Sequence, residues 1–404
     1  MRSSLRCESA VRLFDFATAM GVKVFEIHSQ RRSFFREKGR ARRKLGIRMT
    51  KTSPRVCVLH IGGTIGMTPD AAGHLVPVAG DGFLERFLRG LPECSDRSEF
   101  RHQGEYIPEF DVVQLDPLLD SADMGPADWT RLAQAIGARY RDYTGFVVAH
   151  GTDTMVYTAS ALSFLLQGLD KPVILTGSQL SLLHPRTDGR EHLVTSLILA
   201  GHAPIPEVSI YFAKSLLRGN RAQKVHNNDF VAFHSGNWPE LARVGVAIEI
   251  NHPFVRAPGA GLAEMPESTI RPRVVAVRLH PGMEPRLLAR MLGPDVDGMV
   301  LETYGAGTAP TKDPALLDVL AAAIAEDDVV IVNISQCHGG RVQQSLYGTG
   351  AALETIGVVS GGDMTPEAAL TKLYLGLSSG LSRAQVRRLM GSDLAGEIRE
   401  MGGA

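Results

Sequence analysis

Short apolar runs that alternate with helix-length segments constrain this chain more than any other feature of it. VCVLHI (56–61) runs into Gly62-Gly63, and DVVQL (111–115), FVVAH (146–150), PVILTG (172–177) and VSIYF (208–212) repeat the pattern. Between these runs, residues near 127–142, 154–168 and 190–201 read as helices. Near-continuous apolar strands are buried on both faces, and strands separated by helices pair in parallel, because parallel neighbours require a crossover. The pattern therefore predicts an α/β fold around a parallel-type sheet.

The alternation sets the domain reading. Residues 49–246 form one α/β unit. The stretch 247–272, rich in Pro, Gly and Ala, reads as a connection. Residues 273–404 form a second, smaller unit with strands at 274–279, 298–303 and 329–335 and helices near 312–326, 365–377 and 382–391. Thr365-Pro366-Glu367 supplies an N-cap and a first-turn proline for one of these helices.

Residues 1–48 stand apart by charge, with 13 basic against 4 acidic side chains, although the whole chain balances 43 Lys and Arg against 43 Asp and Glu. They read as a basic extension, either a disordered tail or the product of an upstream start codon. The remainder carries a net charge of −9, which disfavours nucleic-acid binding by residues 49–404. No run approaches the ~20 apolar residues that span a bilayer. Cys7, Cys57, Cys94 and Cys337 show no CxxC spacing, so neither a disulfide framework nor a zinc site is expected, and a reducing cytosol is the expected compartment.

Open α/β sheets bind ligands beyond the carboxyl ends of their strands. Three such ends carry chemistry here: Gly62-Gly63-Thr64-Ile65-Gly66, Asp120-Ser121-Ala122-Asp123-Met124, and His150-Gly151-Thr152-Asp153-Thr154. Taken singly, each is equally a good turn or helix cap. Together, at equivalent strand ends, they favour a site. A Walker loop lacks its Gly-Lys pair, HExxH is absent, and the match to GxSxG at Gly376–Gly380 closes a helix instead of linking strand to helix.

The segments IGGTIGM (61–67), LLDSADM (118–124), VVAHGTDTMVYTASALSF (147–164), KPVILTGSQ (171–179), RGNRAQK (218–224), NISQCHGG (333–340) and GGDMTPEAALTKL (361–373) occur in order. Together they resemble the bacterial L-asparaginases, particularly the cytosolic type I branch. The resemblance implies a large N-terminal and a smaller C-terminal α/β domain. It also implies hydrolysis of L-asparagine to L-aspartate and ammonia without metal or cofactor, with weaker action on glutamine, in a cytoplasmic homodimer or homotetramer. Carried over by motif, Thr64 is the nucleophile, and Thr152, Asp153 and Lys224 form a second hydroxyl-carboxylate-amine group. Ser121 and Asp153 hold the substrate's carboxylate and ammonium, and Gly63 and Gly151 line its site. A threonine hydroxyl needs a neighbouring proton acceptor before it attacks, which a Thr-Lys-Asp chain can relay.

Three positions depart from the family pattern. His74 stands ten residues after the nucleophile, where the family carries a helper tyrosine, and is a candidate catalytic helper in its place. Glu302 and Thr308 stand where relatives tend to carry arginine and asparagine. Two other functions compete with hydrolysis. One is an amidotransferase subunit serving a tRNA-bound substrate, which would require a folded β domain that residues 1–48 do not suggest. The other is a non-catalytic amino-acid sensor, which would have no need of a nucleophile.

Overall fold

The computed structural model describes residues 53–78, 82–95, 106–265 and 270–399. The basic extension 1–48 lies outside them. In chain order, the first unit contains β1 (Arg55–Gly62), β2 (Met67–Pro69), β3 (Leu75–Pro77), α1 (Phe83–Gly90), α2 (Pro92–Ser95) and β4 (Glu109–Leu119). It continues with α3 (Pro126–Arg139), β5 (Gly145–Ala149), α4 (Met155–Leu165), β6 (Val173–Thr176), α5 (Gly189–His202), β7 (Val208–Phe212) and β8 (Ser215–Arg218). The short strands β9 (Gln223–Lys224), β10 (Phe233–His234), β11 (Ala242–Val244) and β12 (Ile248–Ile250) complete it.

The main sheet has the order β12-β11-β8-β7-β6-β5-β1-β4. Its five strands from β4 to β7 are parallel. The sequence reading of a parallel sheet holds for these, and the structure adds three antiparallel strands, β8, β11 and β12. They are only three or four residues long, so they lack the long apolar runs by which the parallel strands are recognised. Strand β12 also falls inside the stretch 247–272 read from sequence as connection, because its pairing of Ile248 with Val244 and Ile250 with Ala242 keeps it in the sheet.

The central parallel strands β1, β5, β6 and β7 are largely apolar because both faces are covered. Cys57, Leu59, Phe146, Val148 and Leu175 pack with Trp129 and Ile136 of α3 and with α4. On the other face Val56, Val58, Val147 and Ile174 pack with Leu84 of α1 and with Leu193 and Leu197 of α5. Helix α4 is buried at every residue but Tyr157, and so shows no amphipathic period.

The second unit contains β13 (Val274–Arg278), α6 (Pro285–Met291), β14 (Gly298–Thr303), α7 (Pro314–Ala325), β15 (Val330–Ser335), α8 (Gly348–Thr355), β16 (Val359–Ser360), α9 (Pro366–Ser378) and α10 (Arg383–Met390). Its sheet, β13-β14-β15-β16, is parallel throughout. The Thr365 hydroxyl caps α9 by accepting from the Ala368 amide at 3.1 Å. Helix α9 packs on α4, which explains the all-round burial of α4: it lies between the large sheet and a helix of the other unit. Ser378 and Ser379 close α9, their hydroxyls bonding to the carbonyls of Leu375 and Gly376, and Gly380 follows at φ +75°. GxSxG is thus a helix end here.

Candidate active site

The order β4-β1-β5-β6-β7 places the first strand between the second and third parallel strands. The chain therefore leaves β1 toward one side for β4 and returns to its other side for β5. The crevice where such a sheet reverses direction opens between the carboxyl ends of β1 and β5. Thr64 follows β1 and Thr152 follows β5, so both hydroxyls stand at that crevice.

Close backbone approach at this point demands glycine. Gly62 and Gly63 have φ of +127° and +89°. A Cβ on Gly62 would lie 2.1 Å from the Leu119 carbonyl oxygen, and one on Gly63 would lie 2.2 Å from the Gly151 nitrogen. A Cβ on Gly151 would in turn meet the Ser121 side chain at 2.6 Å. Three strand ends thus interlock: Gly63 N–H donates to the Leu119 carbonyl at 3.0 Å, and the chain turns through Thr64–Gly66.

Ser121, itself buried, begins a 3₁₀ turn capped by Asp120. Its hydroxyl accepts from the Asp153 amide at 3.3 Å, and its carbonyl accepts from the Thr154 hydroxyl at 2.7 Å. Lys224 arrives from the far end of the sheet on the β9–β10 hairpin. Its Nζ donates to Thr152 Oγ1 at 2.8 Å and to Asp153 Oδ1 at 2.5 Å. Thr152 is buried, the Lys224 side chain is 15% exposed and that of Asp153 is 64% exposed. A hydroxyl at the base of the crevice is therefore linked through an amine to a carboxylate that faces solvent.

Thr64, Thr152, Asp153, Lys224, Ser121, Gly63 and Gly151 thus gather at one end of the sheet. His74 does not join their hydrogen-bond network. It closes the turn between β2 and β3, its amide donating to Asp70 Oδ1 at 2.8 Å, while its ring, 80% exposed, lies 3.6 Å from Asp70 Oδ2. Glu302 and Thr308 belong to the second unit, where Glu302 faces Arg278 at 3.9 Å and the Thr308 hydroxyl bonds to the Tyr304 carbonyl at 3.3 Å.

Several supporting residues carried no signal readable from sequence. Arg221, buried in the turn before β9, donates to the Gly396 carbonyl at 2.6 Å and pairs with Asp363 at 3.0 Å. The second unit and the chain's last described segment thereby brace the strand that carries Lys224. Glu367, its carboxyl raised by burial, accepts from Gln223 at 3.5 Å. His60 lies beside the Thr64–Gly66 turn, buried and with both ring nitrogens unpaired, and burial pulls its pKa down to about 4. A Cβ on Gly66 would meet that ring at 2.7 Å. Burial also lowers His150 to about 4. Among the described residues no group of three or more His, Cys, Asp or Glu is placed to hold a metal ion, and no helix is long and apolar enough to cross a membrane.

The chain matches two sequence families in tandem. Asparaginase, N-terminal, covers residues 55–256, and the Glutaminase/Asparaginase C-terminal domain covers residues 273–390. L-asparaginase 1 of Escherichia coli (strain K12) is 42% identical over 345 residues, which is 85% of this chain and 97% of that protein. The crystal structure of L-asparaginase I from Vibrio cholerae superposes with a TM-score of 0.76 at 40% identity, covering 86% of this chain and 100% of that one. The thermostable L-asparaginase from Thermococcus kodakarensis superposes at 0.73 with 33% identity over the same shares of each chain.

Proposed function

The chain belongs to the asparaginase family, and from that premise we propose that it hydrolyses L-asparagine to L-aspartate and ammonia, with Thr64 as nucleophile. The observation that carries this reading is the Lys224 amine, which bonds both the Thr152 hydroxyl and the Asp153 carboxylate beside the crevice that Thr64 enters.

The Thr64 hydroxyl oxygen attacks the side-chain amide carbon as its proton passes into the Thr152–Lys224–Asp153 group. Backbone N–H groups of the glycine turn stabilise the developing oxyanion. Collapse of the tetrahedral intermediate breaks the C–N bond, and ammonia leaves with the proton returned to it. Water then attacks the Thr64 ester, releasing aspartate and restoring the hydroxyl. The exposed Asp153 carboxylate receives the substrate's α-ammonium in a charge-assisted hydrogen bond, and the Ser121 hydroxyl receives its α-carboxylate. Glutamine, longer by one methylene, is the weaker substrate, since a methylene is worth only ~1–3 kcal/mol of discrimination.

We place the protein in the cytoplasm and propose that it assembles as a homodimer or homotetramer. Leu75, Val76, Leu183, Phe230 and Val231 are exposed on segments that surround the site. Those segments are tied to one another by Ser181 bonding to the Met67 carbonyl and Gln179 to the Asp229 carbonyl. Sedimentation of the full chain reads the assembly.

Ammonia release from asparagine and glutamine by the purified full chain tests the activity. Wild type should release ammonia from asparagine, and Thr64→Ala and Thr152→Ala should each lose ~100-fold or more in kcat while remaining folded. Either variant retaining more than about a tenth of wild-type kcat removes that hydroxyl from the mechanism.

A further inference from the structure

A cavity of about 480 Å³ lies between the two units, and no residue of the three strand ends lines it. That size is within the range of small-molecule sites, which favour domain interfaces. Its walls come from α3 and α4 on one side and from α9 and α10 on the other, with Phe164, Leu165, Leu375, Leu381 and Leu389 supplying the apolar surface. The polar groups of the wall are largely occupied. The hydroxyls of Thr130 and Ser379 bond to the Pro126 and Gly376 carbonyls within their own helices. Lys372, buried, is held by Glu397 at 2.6 Å and by the Ser392 carbonyl.

Arg271 is different. It lines the same cavity, is exposed to solvent, and forms no ion pair with any described residue. Its charge is close enough to Tyr374 to oppose the rise that burial imposes on that phenol. One end of an apolar chamber therefore carries a guanidinium with no ionic partner among the described residues, which can bind a carboxylate through two parallel N–H···O bonds.

We propose that this interdomain cavity binds a free medium-chain carboxylate, its alkyl chain among Phe164, Leu165, Leu375, Leu381 and Leu389 and its carboxylate on Arg271. The chain length is set by apolar burial and the sign of the headgroup by Arg271. The site is separate from the asparagine site, so its occupancy is measured without reference to turnover.

Calorimetric titration of the full chain with decanoate, octanoate, decanol and decylammonium tests the assignment. Decanoate should bind saturably, and octanoate about 15-fold more weakly, since each buried CH₂ is worth ~0.8 kcal/mol or about fourfold. Decylammonium should not bind, and decanol should bind more weakly than decanoate. Arg271→Glu, a surface change that leaves packing intact, should weaken decanoate about tenfold. Leu381→Trp should abolish binding by filling the cavity. A second readout is the fluorescence of Trp129, which contacts the cavity residue Tyr374 edge-on at 6.1 Å. Absence of saturable decanoate binding overturns the proposal, as does equal affinity for decanol or decanoate binding indifferent to Arg271→Glu.

Discussion

The Lys224 amine donates to the Thr152 hydroxyl at 2.8 Å across 72 positions of sequence. The same amine bonds Asp153, whose side chain is 64% exposed, so the pair contributes little to stability, and in the proposed mechanism it acts on the protonation of the hydroxyl. Lys224→Met is therefore expected to lower kcat by ~100-fold or more and to change unfolding free energy by less than about 1 kcal/mol. Steady-state ammonia release together with urea denaturation reads both quantities. Retention of more than about a tenth of kcat would remove the amine from the proton relay.

Gly63→Ala is expected to damage fold and activity together. The new Cβ would sit 2.2 Å from the Gly151 nitrogen on a backbone of φ +89°, so the strand ends of β1 and β5 must separate. Strain and overpacking together amount to ~2–4 kcal/mol. Thermal denaturation and kcat check this, and a variant with wild-type values of both would contradict the interlock.

Buried His60 and His150 make stability depend on pH in a defined direction. Both stay neutral in the folded chain down to about pH 4, whereas they charge near 6.5 when unfolded. Between those values the unfolded state binds more protons, so stability is full above about pH 6.5 and falls as pH drops toward 4. Each histidine accounts for on the order of 2–3 kcal/mol of that loss. Urea denaturation of wild type and His60→Phe at pH 7.5 and pH 4.5 should show a smaller loss in the variant. Identical losses would mean that His60 does not carry this linkage.

The Lys372–Glu397 pair, almost fully excluded from water, is expected to tolerate loss of both partners better than loss of one. Lys372→Met strands a buried carboxylate and should cost ~3–5 kcal/mol. Adding Glu397→Gln to that variant should recover part of the loss, because the amide is neutral. Equilibrium denaturation of the single and double variants decides the matter, and a double variant less stable than the single would refute the account.

His74 is exposed and turned toward Asp70, which argues against its taking the Thr64 proton. His74→Phe and His74→Tyr should keep kcat/KM within ~3-fold of wild type, with superimposable pH profiles. An acidic limb present in wild type and missing from His74→Phe would assign the proton to this imidazole.

Much of this molecule could be read from sequence because the relevant signals are local. Burial on both faces makes β1, β5, β6 and β7 largely apolar. Thr365-Pro366 marks the start of α9 through one hydroxyl and one fixed φ, and Gly62-Gly63 announces a turn that no Cβ could enter. The hydroxyls of Thr64, Ser121 and Thr152 were legible as candidates because each lies just beyond the end of a parallel strand. The structure alone decided what depends on residues distant in the chain. Strands β8, β11 and β12 join the sheet through a few pairings too short to leave a periodic pattern. Lys224 reaches Thr152 only because the β9–β10 hairpin folds back toward the crevice, braced by Arg221 against Gly396 and Asp363. The interdomain cavity likewise exists only where α9 and α10 meet α3 and α4. Side-chain type and spacing record what lies next to a residue along the chain, whereas these contacts are chosen by the packing of whole elements, which leaves no mark on any one segment.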